Sequence, residues 1–210
     1  MTSTARQPIG FPFVPDTTKA RAVVLVHGIF DTSKIFARMA HRLKERGFRT
    51  LAPDLAPSSG SSGLDQLAEQ LQRFIESNLA AEERFDIVGF SMGGLIGRYY
   101  VQRLGGSQRV GHLITISAPH HGTLVAYSLG SRGAKQMRPG SAFLQDLNRD
   151  ATSLRQTKFA SLWTPFDLMI VPAHSSRLGI GEEIKFHVLL HPWMLRDERC
   201  LGTVMRLLSA

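Results

Sequence analysis

Short apolar runs alternate along this chain with longer stretches in which apolar residues recur at every third or fourth position. The short runs predict buried strands, and the helical spacing of the longer stretches predicts amphipathic helices. Strands that alternate with helices are joined by right-handed crossovers into a mainly parallel sheet, so the pattern predicts an α/β fold with helices on both faces. The predicted strands are 22–26, 49–52, 85–88, 110–117, 158–163 and 184–190, and the predicted helices are 34–46, 64–78, 92–104 and 196–208.

The same pattern divides the chain into an arm, a domain and an insert. Residues 1–20 contain three prolines and no apolar periodicity, which predicts a loose N-terminal arm. Residues 21–210 carry every predicted strand and helix and are expected to form one domain. Residues 122–157, between the fourth and fifth strands, predict either a small lid or cap insert or a single crossover helix with a loop. Apolar residues of this insert that are candidates for lining a pocket are Leu124, Val125, Tyr127, Leu129, Met137, Phe143, Leu144 and Leu147.

Composition and charge narrow the range of partners. The 25 Lys and Arg against 17 Asp and Glu give a net charge of +8. The basic residues are scattered and form no nucleic-acid motif, so we expect a basic surface and no nucleic-acid partner.

The single cysteine, Cys200, permits neither an internal disulfide nor a thiol-based metal cluster. No apolar stretch is long enough for a transmembrane segment, and residues 1–18 lack the apolar core of a signal peptide. We therefore expect a cytoplasmic protein, with secretion by another route left open.

Reactive side chains follow three of the predicted strands. Ser91 comes just after the third strand, Asp167 after the fifth and His191 after the sixth. Functional groups of a parallel sheet gather beyond the carboxyl ends of its strands, so these three are expected to meet at one edge. A serine hydroxyl becomes a nucleophile when a histidine removes its proton and a carboxylate orients that histidine. The three residues therefore predict a catalytic triad.

Glycines flank the candidate nucleophile in the sequence Gly-Phe-Ser-Met-Gly, from Gly89 to Gly93. A strand that turns sharply into a helix strains the backbone at the serine and leaves no room for side chains at the flanking positions. The N-terminus of the following helix offers free N–H groups and a favourable dipole to a developing anion. The motif alone is common by chance. Its position between a strand and a helix makes it predictive of a nucleophilic serine.

The remaining histidines receive structural interpretations. His27 follows the first strand and is expected to shape its loop, and His187 is expected to occupy a core position within the sixth strand. His120 and His121 are adjacent, but no third residue has the spacing of a metal ligand, so neither a metal nor another cofactor is predicted. No role is assigned to His174.

Five segments resemble the α/β-hydrolase superfamily, and in particular its compact bacterial lipases and esterases. The resemblance extends over nearly all of residues 22–208. It implies the minimal six-stranded α/β-hydrolase fold, because too little chain precedes the first strand for the two additional strands of larger members. The segments are VVLVHGIF (23–30), IVGFSMGGLIGRYY (87–100), ISAPHHGT (116–123), PFDLMIVP (165–172) and LLHPWML (189–195).

The resemblance also implies roles for further residues. The backbone N–H groups of Ile29 and Met92 occupy the positions of the two donors of the oxyanion hole. Asp167 and His191 follow the strands after which the family's acid and base occur. Residues implied as possible pocket lining are Phe30, His120, His121 and Leu124.

These observations together predict a serine hydrolase that cleaves carboxylic esters, of the lipase or esterase type, with apolar acyl groups. A thioesterase, an amidase or an acyltransferase would use the same triad, and a catalytically inactive binding module is a further alternative. The expected partner is a small-molecule ester or a lipid substrate, and the oligomeric state is left open.

Overall fold

The computed structural model describes residues 20–210. The predicted N-terminal arm over residues 1–20 therefore lies outside the described residues, apart from Ala20.

Six parallel strands form one sheet in the order β2-β1-β3-β4-β5-β6. Successive strands are added first on one side of β1 and then on the other, so the chain order reverses at the centre of the sheet. The predicted six-stranded parallel sheet is confirmed. The strands are β1 (Ala22–Val26), β2 (Arg49–Leu51), β3 (Phe85–Phe90), β4 (Val110–Ile116), β5 (Lys158–Trp163) and β6 (Glu182–Lys185).

Helices cover both faces of the sheet, as predicted. On one face α2 and α3 bury their apolar stripes, and α1 and α6 do so on the other. Residues of a central strand alternate between these two cores, which is why β1 is apolar at all five positions and fully buried. The helices are α1 (Ala37–Glu45), α2 (Leu64–Asn78), α3 (Met92–Arg103), α4 (Arg132–Gln136), α5 (Ala142–Arg149) and α6 (Glu198–Leu208).

Two predicted elements differ from the structure by more than two residues at one end. The first helix was expected to begin at residue 34, but residues 33–36 form a single 3-10 turn and α1 begins at Ala37. The sixth strand was expected over 184–190, but β6 pairs only with β5, which ends at Trp163. Beyond that point the chain has no strand beside it, so the apolar sequence continues as a loop.

The insert between β4 and β5 packs mainly against the face that carries α2 and α3. Its helix α5 begins next to Ser141, whose side chain accepts a hydrogen bond from the Leu144 N–H at 3.3 Å. Met137, Leu144 and Leu147 are buried in the core, so these three of the predicted pocket-lining residues do not face an open pocket. Within the insert, the large apolar side chains that are exposed are Leu124 and Tyr127.

The chain reverses direction tightly where β3 meets α3, and two glycines allow this. A Cβ atom at Gly93 would lie 2.6 Å from the His27 carbonyl oxygen and closer still to that of Val26, so the first turn of α3 rests directly on the end of β1. A Cβ atom at Gly89 would lie 2.6 Å from the Gly93 oxygen. No larger residue fits at either position without moving the backbone.

We expect Gly93→Ala to lower the free energy of unfolding by about 1–3 kcal/mol or more, because the backbone atoms that it meets cannot rotate away. Gly202→Ala is the matched control, since no atom lies within 4 Å of the Cβ position at this exposed site of α6. There alanine should raise stability by up to about 1 kcal/mol through its higher helix propensity. Urea unfolding measures both, and equal effects of the two substitutions would contradict the packing argument.

Candidate active site

Ser91 lies at the turn between β3 and α3, at the carboxyl edge of the sheet. Its backbone has φ 54° and ψ −124°, a conformation that non-glycine residues rarely adopt. The strain is held by the neighbouring strand, because the Ser91 N–H donates to the Ile116 oxygen at 2.8 Å. Ser91 as a whole residue is 7% exposed, so it is shielded without being fully enclosed.

Asp167 lies in the loop that follows β5, and its carboxylate is surrounded by donors. The N–H groups of Met169 and Ile170 donate to Oδ1 at 2.9 and 3.0 Å. The loop is fixed in turn by Thr123, whose hydroxyl accepts from the Val171 N–H at 2.9 Å and donates to the Met169 oxygen at 2.8 Å. The acid is therefore buried at a fixed position.

His191 lies in the loop after β6 and contacts Asp167. Its Nδ1 is 2.7 Å from Oδ2 and 2.9 Å from Oδ1 of the carboxylate. A carboxylate can only accept, so Nδ1 carries the proton and Nε2 is left as the basic nitrogen. The ring also packs on Phe90, the residue before Ser91, with 4.7 Å between the ring centroids.

The structure thus brings the acid and the base into contact, and the base packs on Phe90, the residue before the serine. Among the described residues, neither Ser91 Oγ nor His191 Nε2 is hydrogen-bonded to another protein group. Hydrogen bonds of this kind are commonly long before a substrate binds. The nucleophile–base hydrogen bond is consequently the one link of the predicted triad that is open in this structure.

Two backbone N–H groups near Ser91 remain free for a ligand. Met92 is the first residue of α3, and the first N–H groups of a helix have no partner within it. In the loop after β1 the Phe30 N–H donates to the Ser58 oxygen at 2.9 Å, whereas the Ile29 N–H meets no acceptor among residues 20–210. The two groups predicted as oxyanion donors are therefore both uncommitted.

A sequence model of the α/β-hydrolase fold matches residues 21–164. This chain belongs to the α/β-hydrolase family. The match includes the Ser91 turn and both uncommitted N–H groups, and it ends before Asp167 and His191. The acid and base of this hydrolase are thus inferred from the contact between those two side chains.

Solved structures of other hydrolases share the fold at low sequence identity. The mature lipase of Bacillus licheniformis is 17% identical, with a TM-score of 0.74 and 96% of each chain covered. Lipase B of Aspergillus fumigatus is 16% identical, with a TM-score of 0.75 over 98% of this chain and 56% of that one. The enol-lactonase of Burkholderia xenovorans is 16% identical, with a TM-score of 0.70 over 91% and 92% of the two chains. At these identities the likeness shows the fold alone.

His27 fixes the loop that carries Ile29 in this hydrolase. Its Nε2 accepts from the Leu55 N–H at 2.9 Å, and its Nδ1 lies 2.9 Å from the Gly28 oxygen. Since Nε2 accepts, Nδ1 must carry the proton and donate to Gly28. With both nitrogens engaged, His27 acts on the shape of the loop.

His120 is in the interior of the hydrolase and does not line an open pocket. Its Nδ1 lies 3.3 Å from a guanidinium nitrogen of Arg98, and its Nε2 lies 3.0 Å from the Thr115 hydroxyl. Arg98 can only donate, so Nδ1 accepts and Nε2 donates to Thr115, whose own hydroxyl donates to the Ala160 oxygen at 3.3 Å. Complete burial, with the charge of Arg98 adding to it, holds the pKa of His120 well below its ordinary value, so the ring is neutral.

Arg98 was missed by sequence reasoning, which included it in segment 87–100 and gave it no role. Its side chain is fully buried and donates to the Leu147 oxygen and to Asn148 Oδ1 at 3.0 and 3.1 Å. Burial lowers its pKa to about 9, against the opposing effect of the Asp150 charge. Arg98 thereby links α3, α5 and the loop at His120.

The other predicted lining residues lie at the surface of the same edge. Phe30 and Leu124 are exposed, on the loops after β1 and β4, and His121 is exposed beside Asn148. His187 is also exposed, so its predicted core position is wrong. Strand β6 ends at Lys185, so His187 lies in the loop that follows the strand and not in the sheet.

The strained turn predicts an unusual order of stability at Ser91. We expect Ser91→Gly to be more stable than Ser91→Ala by about 1 kcal/mol, because glycine relieves the positive φ. At Ser77, an exposed helical position in α2, the order should reverse, since alanine is the better helix former. Denaturant unfolding of the four variants measures this, and a less stable Ser91→Gly would argue against strain at the turn.

Proposed function

We propose that this hydrolase is a serine esterase that cleaves carboxylic esters of apolar acyl groups through an acyl-enzyme on Ser91. The observation that carries the proposal is the Asp167–His191 hydrogen bond at the edge of the sheet where Ser91 forms its strained turn. That arrangement supplies a positioned base with a free nitrogen beside a shielded hydroxyl. Serine attack on an acyl group needs both.

In the proposed reaction His191 Nε2 takes the Ser91 proton as Oγ attacks the ester carbonyl. The carbonyl oxygen becomes an oxyanion, which the N–H groups of Ile29 and Met92 stabilise. The alcohol leaves with the proton from His191, and Ser91 carries the acyl group. Water then attacks the acyl-enzyme with His191 again as the base, and the carboxylic acid is released.

Asp167 has the ionisation state that this role needs. Burial alone would raise the pKa of its carboxyl group, but the hydrogen bond and charge of His191 and the N–H donors of Ile170 and Met169 outweigh burial and hold the pKa below its ordinary value. Because the folded-state pKa is depressed, the carboxylate persists into acidic solution and is lost only as pH falls through that lowered pKa. It can therefore orient His191 across the neutral range.

An apolar rim supports an apolar substrate. All the large apolar side chains that are exposed among residues 20–210 lie on loops that follow strands β1, β4, β5 and β6. These loops share the carboxyl edge of the sheet with the candidate triad, so the exposed apolar surface is concentrated around it. The rim residues are Phe30, Leu124, Tyr127, Phe166, Leu168, Met169, Leu189, Leu190 and Trp193.

A groove of about 360 Å³ is formed by residues that flank His191 in the chain, and we propose that part of the acyl group extends along it. Leu189 and Trp193 contribute to it from the rim. Apolar grooves with a few polar groups are typical of small-molecule sites. Its lining residues are His187, Val188, Leu189, Trp193, Arg196 and Asp197.

We expect wild-type protein to hydrolyse p-nitrophenyl esters, and Ser91→Ala and Asp167→Asn each to lower kcat/KM by about a thousandfold or more. The first variant removes the nucleophile, and the second removes the group that fixes the His191 tautomer. A thioester and an amide of the same acyl group, together with an alcohol acceptor, separate esterase from thioesterase, amidase and acyltransferase activity. Unchanged turnover by Ser91→Ala would refute the proposal.

A rim that contacts the acyl chain predicts a loss of activity on aggregated substrates when its leucines are replaced. Activity on soluble substrates should not fall. Leu168 and Leu189 are 72% and 62% exposed, so Leu168→Ser with Leu189→Ser should leave folding intact. Removing two leucines that would be buried against lipid should lower activity on emulsified long-chain esters at least tenfold, while a short soluble ester is hydrolysed as before. Arg73→Ser with Glu76→Ser is the control, because both side chains are exposed on α2, away from the rim. Equal losses on both substrates would argue against a rim that contacts the acyl chain.

A further inference from the structure

Asp31 places a second carboxyl group beside the candidate nucleophile. Its loop follows β1, and its N–H donates to the Gly28 oxygen at 3.4 Å. The position that a Cβ atom on Gly28 would occupy is 2.9 Å from Asp31 Oδ2 and 3.1 Å from Ser91 Cβ. The carboxylate and the serine side chain therefore face the same small space above Gly28.

The surroundings of Asp31 differ from those of the other carboxylates near the sheet edge. Asp167 accepts from His191 and from two backbone N–H groups, and Asp54 accepts from the Ser33 N–H at 2.6 Å. Among residues 20–210, no hydrogen bond or ion pair engages the Asp31 carboxyl group. It is half-buried and has no donor among these residues, so its oxygens are left to water or to a bound molecule.

The groups that face Asp31 leave its charge uncompensated. The titratable groups whose charges act on it are His27, on its own loop, and His191, on the loop after β6. Both ring nitrogens of His27 are engaged, by Gly28 and Leu55, and His191 is already paired with Asp167, so neither ring donates to Asp31. Burial raises the pKa of Asp31, and the two histidines only partly oppose this.

We propose that Asp31 determines charge specificity: as an unpaired carboxylate beside Ser91, it disfavours substrates with an anionic group near the scissile ester and favours neutral and cationic ones. The proposal deepens the serine-esterase function and rests on it. A charge in a half-buried site is screened less than one on the surface, so it acts strongly on a substrate a few ångströms away.

The same charge acts on the product. Ester hydrolysis releases a carboxylic acid, which is an anion at neutral pH, from a site that bound a neutral ester. An unpaired carboxylate repels that anion and favours its departure. Asp31 thus distinguishes the substrate from the product by charge.

The test uses three meta-substituted phenyl acetates of nearly equal shape, which carry a trimethylammonium, a tert-butyl or a sulfonate group. Each kcat/KM is divided by the rate constant for hydroxide, which removes differences in leaving-group reactivity. Wild-type protein should prefer the cationic over the anionic ester by about tenfold or more, and added salt should reduce this preference. The neutral ester should lie between them.

Asp31→Asn should bring the cation-to-anion ratio close to one, with the rates for the cationic and the anionic ester moving in opposite directions relative to the neutral ester. Asp31→Glu should restore the preference, since it restores the charge. Asp54→Asn removes the same charge from an exposed carboxylate of a neighbouring loop and should leave the ratio unchanged. In wild-type protein the ratio should fall as pH drops through the raised pKa of Asp31, because protonation removes its charge.

The outcomes separate the two proposals. Ser91-dependent turnover with equal normalised rates for the three esters, or a preference that persists in Asp31→Asn, would overturn the charge-specificity role and leave the esterase function intact. The absence of Ser91-dependent turnover of all three esters would overturn both. A preference that is lost in Asp31→Asn and regained in Asp31→Glu would establish it.

Discussion

The site depends on one close approach, between the first turn of α3 and the end of β1. Gly93 rests against the carbonyl groups of Val26 and His27, so the chain must reverse at a single residue. That residue is Ser91, which has a positive φ. The same contact brings the free N–H groups of the helix toward the loop after β1. One packing constraint therefore sets both the candidate nucleophile and the candidate anion donors.

A second constraint holds two loops that are distant in sequence at fixed positions relative to each other. The Thr164 hydroxyl donates to the Val188 oxygen at 2.7 Å and accepts from the Val188 N–H at 3.2 Å, which ties the loop after β5 to the loop after β6. Asp167 and His191 meet within this frame. A buried carboxylate is costly unless donors surround it, so the backbone N–H groups at Asp167 are as necessary to the pair as His191 itself.

The sequence was sufficient to predict the fold and the site residues where local chemistry decides the structure. The alternation of apolar runs and amphipathic stretches predicts the six strands, and the order of Ser91, Asp167 and His191 predicts which side chains share an edge. It was insufficient where partners come from distant segments. Arg98 and His120 form one buried chain only because α5 packs on α3, and nothing local to either residue signals the other. The end of β6 likewise follows from the length of β5.

Asp31 and Asp167 show how one residue type takes different states at a single edge. Asp167 is buried and Asp31 half-buried, and burial by itself raises the pKa of a carboxyl group. Asp167 has two N–H donors and a histidine, so its pKa is lowered, whereas Asp31 lacks donors and its pKa is raised. The number of hydrogen-bond donors, more than burial, therefore distinguishes the two carboxylates. Asp167 has donors and orients His191, whereas Asp31 has none and is proposed to act on a bound molecule.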